Sequence, residues 1–164
     1  MKGLDNSTNL ILYIISNTIA LGVLFATWKN IRLGRLLFFL VFAWASWTNW
    51  TTALNDPQTY LGEAELTFFD FYHDLILGWF SRNILLVVGS IATCQALIAI
   101  AMLGKTTLIK AGGTGAILFL IAIAPFGTGS GFPCTIVLAI AMGLIVSKKD
   151  QDYLWIRPRN RSAA

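Results

Sequence analysis

The residues with the most chemistry to offer in this 164-residue chain lie in one short run, Asp70-Phe71-Tyr72-His73-Asp74. Histidine titrates near neutral pH without any help from its surroundings, so beside an aspartate it can accept and release a proton. Asp70, three residues before His73, is within side-chain reach on a helix. Asp70, His73 and Asp74 could also approach a metal ion. Three neighbouring ligands without a second cluster make a poor site, however, and no metal is expected. The plainer reading, a histidine packed at a membrane surface, is favoured over both.

A second group sits in an aromatic stretch that contains Trp44, Trp47 and Trp50, with Asn49 among them. Tryptophans gather at membrane interfaces because their rings are amphipathic, which accounts for Trp50 and Trp47 together with Trp79. Trp44 lies deeper. It could line a pocket for a flat apolar ligand such as a quinone, or pack on a neighbouring helix, and packing is favoured. Asn49 and Gln95 are the amides most in need of partners, since an unsatisfied amide in hydrocarbon is costly. Trp44, Trp47, Asn49 and Gln95 are the candidate cofactor-binding residues. Counting inward at about 1.5 Å per residue puts Asn49 roughly 8 Å and Gln95 roughly 20 Å below the outer surface, too far apart to form one site easily.

The same count separates Cys94, roughly 18 Å deep, from Cys134, within about 3 Å of the surface. A disulfide needs its Cα atoms within about 7 Å, so none is expected. Neither cysteine belongs to a CxxC pair. The run Gly127-Thr128-Gly129-Ser130-Gly131 is not followed by Gly-Lys-Ser/Thr and makes no phosphate loop. Ser130 lacks the spacing of a nucleophile elbow.

The elements that position these residues are apolar. With 56% hydrophobic and 12% charged residues and a mean hydropathy of +0.69, the chain falls outside the soluble globular range. Residues 10–28, 33–54 and 84–103 each approach the ~20 residues a spanning helix requires. They are continuous rather than alternating, which argues against a barrel. The first is too long for a secretion signal and has only Lys2 against Asp5 before it, so it is expected to be retained.

Residues 112–147 carry no charge but are cut by a Gly/Pro-rich stretch at 125–133. Charge counting decides whether this is one span or two. Lys29, Arg32 and Arg35 follow the first span. Residues 55–83 carry Asp56, Glu63, Glu65, Asp70 and Asp74 against Arg82, and Lys105 and Lys110 follow the third. With two short spans, 112–126 and 133–147, the tail cations Lys148, Lys149, Arg157, Arg159 and Arg161 fall on the basic side, as the positive-inside rule requires.

The expected fold is therefore all-α, a polytopic bundle of five transmembrane helices, amino terminus outside and carboxy terminus cytoplasmic. Residues 1–32 form the first span and a basic loop. Residues 33–147 form a four-helix core with an external amphipathic helix over 56–80, and 148–164 form a basic tail resting on lipid headgroups. Asp56 is placed to cap that external helix with Pro57 at its first position. Its wheel puts Glu63, Thr67, Asp70 and Asp74 on one face. Residues 125–133 become a tight external turn, with a re-entrant loop as the alternative.

From Leu33 onward the pattern resembles the DoxX-like family of small bacterial membrane proteins. The matching features are Leu33-Gly34-Arg35 opening an aromatic-rich helix, Asp56-Pro57 followed by Tyr60, and Ala124-Pro125-Phe126-Gly127 through Gly131-Phe132-Pro133 between the last two helices. Family members are typically four-helix proteins, some of which look like membrane subunits of quinone-linked oxidoreductases. The resemblance implies an inner-membrane accessory subunit of a quinone-linked redox system, with quinone as cofactor and an oxidoreductase subunit as partner. No catalytic residue is carried over. Alternatives are a small permease gated by 125–133, or a structural partner that assembles, or self-associates, through Gly112, Gly113 and Gly115. Nucleic-acid binding by the basic tail is not expected beside a membrane span.

Overall fold

The computed structural model describes residues 4–156, among which every regular element is helical. In chain order these are α1 (Ser7–Lys29), α2 (Ile31–Asn55), a 3₁₀ segment (Pro57–Leu66), α3 (Asp70–Leu77), a 3₁₀ turn (Phe80–Arg82), α4 (Ile84–Leu103), α5 (Thr106–Ile123), a 3₁₀ turn (Ala124–Phe126) and α6 (Cys134–Val146). Continuous apolar runs become helices because a helix satisfies its own backbone where no water can. Four stretches are long and apolar enough to cross a bilayer: α1, α2, α4, and Thr106–Phe126. With 13 residues, α6 is shorter, about 20 Å at 1.5 Å per residue.

Five helices close into a ring. α2 lies beside α4, α4 beside α5, α5 beside α6, α6 beside α1, and α1 returns to α2. Phe38, Met102, Ile109, Met142 and Ile145 are fully buried among them. Lipid tails are as apolar as leucine, so close packing rather than exclusion of water holds such helices together. A Cβ on Gly112 would lie 2.5 Å from Ala101 Cβ on α4, and one on Gly113 would lie 2.4 Å from Val146 Cγ2 on α6. The α5 backbone is wedged between its two neighbours by these glycines. They are spent inside the bundle, and of the small-residue stripe only Gly115 faces open space.

At one end of the ring, α1 and α2 are joined by Asn30 alone, whose side chain accepts from the Arg32 and Leu33 backbone N–H groups. α2 therefore starts early enough to carry Arg35 into the bundle. Arg35 is not a loop cation: it is 2% exposed. Its Nε donates to Met102 O (2.9 Å), Nη2 to Gly104 O (2.7 Å) and Nη1 to Asp152 O (2.9 Å). The last carbonyls of a helix have no intrahelical donor and carry the negative end of its dipole, so a guanidinium suits the end of α4. The tail folds onto the same place rather than lying free. Leu154 N donates to Leu103 O, Thr106 N donates to Gln151 O, and Lys105 Nζ sits 5.0 Å from the Tyr153 ring. Arg157, Arg159 and Arg161 lie outside the described residues.

At the opposite end, Gly127 and Gly131 take φ of +66° and +69°, which lets the chain reverse between α5 and α6. This turn is not the bare surface loop expected, since Gly127 and Thr128 are buried. It is roofed by residues 57–72. Phe68 N donates to Pro125 O, the Phe68 ring meets Phe132 edge-on at 5.5 Å, and Tyr72 meets Phe126 at 5.0 Å. From the side, Asn17 Nδ2 donates to Gly131 O at 3.2 Å. Asn17 is ten residues into α1, so the turn meets that helix about 15 Å from its first residue.

The roof explains why 56–80 is not one amphipathic helix. Thr67 and Phe69 are extended, and Thr67 Oγ1 donates back to Ala64 O. That local bond competes with helix continuation, and the break frees the Phe68 N–H for the turn. Asp56 does precede Pro57, but its carboxylate accepts from the Thr59 hydroxyl and caps no backbone group.

Replacing Arg35 should be costly, because the buried carbonyls of Met102 and Gly104 and the part-buried one of Asp152 lose charge-assisted donors worth about 1.5–3 kcal/mol each at most. Arg35→Met is expected to lower the melting temperature in detergent by roughly 6 °C or more. Arg32→Met, a change at an exposed cation, should shift it by no more than about 2 °C. Equal shifts would show that the Arg35 fork does not hold this end together.

Candidate functional site

The two amides assigned to different depths meet. Asn49 Nδ2 donates to Gln95 Oε1 at 2.9 Å, and Tyr60 Oη donates to Asn49 Oδ1 at 3.0 Å. A depth count by Cα position misses this because side chains on a helix slope toward its own amino terminus. α2 and α4 run antiparallel, so Asn49 leans one way, Gln95 leans the other, and the amides converge across the gap. Nearby, Ser46 Oγ donates to Ala92 O at 2.7 Å, and the Trp50 ring packs where a Cβ on Gly89 would stand, 3.0 Å from Cη2. These contacts set the register of the two helices.

On one side of the amide pair lies a cavity of about 300 Å³ beneath the 57–82 segment. Its polar groups are Asn49, Tyr60, Glu63 and Ser130, and its walls include Phe80, Val88, Ile91, Phe119 and Phe126. Glu63 comes from the 3₁₀ segment and is half-buried. Its Oε2 lies against Gly129, where an added Cβ would be 1.8 Å away and would push the carboxylate aside. Burial pushes the Glu63 carboxyl above its ordinary pKa. Burial likewise raises Tyr60, with Thr52 hydrogen bonding opposing and the Glu63 charge adding to the rise.

On the other side lies an apolar groove of about 660 Å³ between α4 and α5. Gln95 opens onto it together with Cys94, Ile98, Gly112, Gly115 and Phe119. Gln95 is 5% exposed. Its Oε1 is taken by Asn49, while its Nε2 has no hydrogen-bond partner among the described residues. Ile91 and Phe119 line both spaces and form the partition between them. The arrangement presents a fixed amide donor to an apolar slot at mid-helix.

Trp44 and Trp47 take no part in this. They are 67% and 64% exposed, on the outward face of α2. Trp47 lines, with Trp50, Phe39, Ala96 and Ile100, a separate apolar space of about 370 Å³ on the α2–α4 face. Trp44 borders neither this space nor the two around Asn49 and Gln95.

The histidine pairs with neighbours other than Asp70. His73 Nδ1 is 3.2 Å from Asp74 Oδ1 and Nε2 is 3.7 Å from Glu65 Oε1, both carboxylates being over 80% exposed. Asp70 opens α3 and is exposed, whereas the break at Thr67 folds Glu65 back toward the ring. Exposed pairs of this kind contribute little. Among the described residues no group of three His, Cys, Asp or Glu side chains is placed to hold a metal. Cys94 and Cys134 are both free thiols, one exposed and one buried.

Sequence reasoning passed over Glu63, Tyr60 and Ser130. Glu63 reads as one acid of a solvated face, and nothing local shows that Gly129, 66 positions later, stands against it. No family model, curated protein or solved structure matches the chain. The DoxX-like resemblance rests on the residues quoted for it.

The raised Glu63 pKa has a direct consequence for stability. Folding favours the protonated form, so this stabilisation is complete below the ordinary glutamate value of about 4.3 and is lost as pH rises through the raised folded value. Glu63→Gln should therefore melt higher than the parent at pH 7.5, and the advantage should vanish below about pH 4. Melting curves of both proteins across that range test it, and a pH-independent difference would contradict it.

Proposed function

We propose that this chain is a multi-pass membrane protein serving as an accessory subunit of a quinone-linked redox system, with the quinone ring held in the α4–α5 groove against Gln95. The observation that carries this reading is the Gln95 amide, whose Nε2 donor is unpartnered and whose acceptor is occupied by Asn49. A quinone carbonyl accepts such a hydrogen bond, its ring suits apolar walls, and its prenyl tail can leave between the helices into lipid. Tyr60 donates to Asn49 Oδ1, which leaves the Asn49 Nδ2 to donate to Gln95. The DoxX-like resemblance points the same way, since some family members look like quinone-linked subunits. Electron transfer to the ring is assigned to a partner subunit, for which the exposed α2 face carrying Trp44 and Trp47 is available.

In the same proposal α6 counts as a fifth span, because it completes the ring despite its length. The turn end faces outward from a bacterial inner membrane and the tail end faces the cytoplasm. Supporting this orientation, Lys29, Arg32, Lys105, Lys110, Lys148 and Lys149 cluster toward the tail end, while Asp56, Glu63, Glu65, Asp70 and Asp74 belong to the turn end.

Purification in a mild non-ionic detergent should retain quinone in the lipid extract, and decylubiquinone should quench tryptophan fluorescence saturably. Gln95→Leu, with an unchanged melting transition, should weaken that binding at least about tenfold, the equivalent of one hydrogen bond of about 1.4 kcal/mol. Finding neither bound quinone nor quenching would overturn the assignment.

A further inference from the structure

The cavity beneath the 57–82 segment has a property that the quinone reading does not use. Among the described residues it holds one carboxyl group, Glu63, and no basic side chain lines it. Glu63 makes no ion pair and no hydrogen bond to another described residue, yet it is drawn inward against Gly129. Around it the wall combines four aromatic rings, Tyr60, Phe80, Phe119 and Phe126, with four aliphatic side chains, Ile76, Val88, Ile91 and Ile123. The Tyr60 and Phe80 rings meet nearly edge-to-face, with centroids 6.5 Å apart, and Tyr60 is further held by its bond to Asn49.

We propose that this cavity binds a small organic ammonium ion, with Glu63 as its counter-charge and the aromatic rings as its walls. A carboxylate in an apolar enclosure is costly unless a cation joins it, and faces of aromatic rings attract an alkylated ammonium that has little hydration to lose. A metal cation fits poorly. Calcium takes six to eight oxygen ligands and magnesium near-ideal octahedral oxygen geometry, whereas this cavity offers one carboxylate and three neutral polar side chains, Asn49, Tyr60 and Ser130, that are already hydrogen-bonded within the protein. An anionic ligand would meet Glu63 directly. The volume, about 300 Å³, is at the small end of ligand sites and suits a compact ammonium with one apolar substituent. Access is from the turn end, between the 3₁₀ segment and the α5–α6 turn, where Gly129 is exposed.

Glu63 and Tyr60 are the titratable groups lining the cavity, so binding should strengthen as pH rises and Glu63 ionises. The assignment does not rest on the quinone reading: Gln95 does not line this cavity, and Ile91 and Phe119 separate it from the α4–α5 groove.

Benzyltrimethylammonium is the probe, titrated calorimetrically into the full chain in dodecylmaltoside at pH 7.5, with neopentylbenzene as its uncharged isostere. Saturable binding of the cation is expected, weakened at least tenfold in Glu63→Gln and weakened in Phe126→Leu. Little binding of the isostere is also expected. Both Glu63→Gln and Phe126→Leu must retain a cooperative melting transition. If Phe126→Leu does not, the comparison of parent with Glu63→Gln and of cation with isostere decides alone. Equal binding by parent and Glu63→Gln, equal binding of cation and isostere, or no saturable binding at all would overturn the proposal.

Discussion

Backbone carbonyls at the end of a helix must find donors, and where lipid or packed protein replaces water they must find them within the molecule. The Arg35 guanidinium meets that demand for α4 and, by reaching Met102, Gly104 and Asp152 at once, joins α2, the α4–α5 link and the tail. The other contacts at this end are arranged around it. The one-residue connection at Asn30 brings Arg35 into position, and the Thr106–Gln151 and Leu103–Leu154 bonds hold the tail under its fork. Arginine suits the task because its planar fork offers five donors in fixed directions.

The opposite end answers the same constraint in another way. A Gly/Pro-rich turn cannot satisfy all of its own backbone, and here it does not stand alone: the Phe68 N–H reaches Pro125 and Asn17 reaches Gly131. A protein segment thereby covers the junction between α5 and the 13-residue α6. The cost is local irregularity. Residues 57–77 give up a continuous helix to supply that cover, and in doing so they bring Glu63 and Tyr60 over the bundle.

The two candidate spaces follow from this geometry. Asn49 and Gln95 form a polar partition between a cavity at the turn end and an apolar slot between α4 and α5. A free carboxylate marks the first and a free amide donor the second. Of the groups most visible in the sequence, His73 and Asp74 form a solvent-screened pair on α3 and Asp70 stands exposed at its start.

Some of this was legible in the residues themselves. Hydropathy is a local quantity, so the apolar runs, their helical state and their approximate ends could be read directly, and 84–103 coincides with α4. The glycines of the turn announced a reversal for a similarly local reason, since positive φ belongs to single residues. What only the tertiary structure decided are relations between distant residues. Arg35 counts as a loop charge until the carbonyls it serves are known, and Glu63 counts as a surface acid until Gly129 comes against it. Asn49 and Gln95 appear separated by depth until antiparallel side-chain slopes close the distance. In each case the residue type is in the sequence, but its partner is chosen by how helices cross, and no spacing along one chain segment records that.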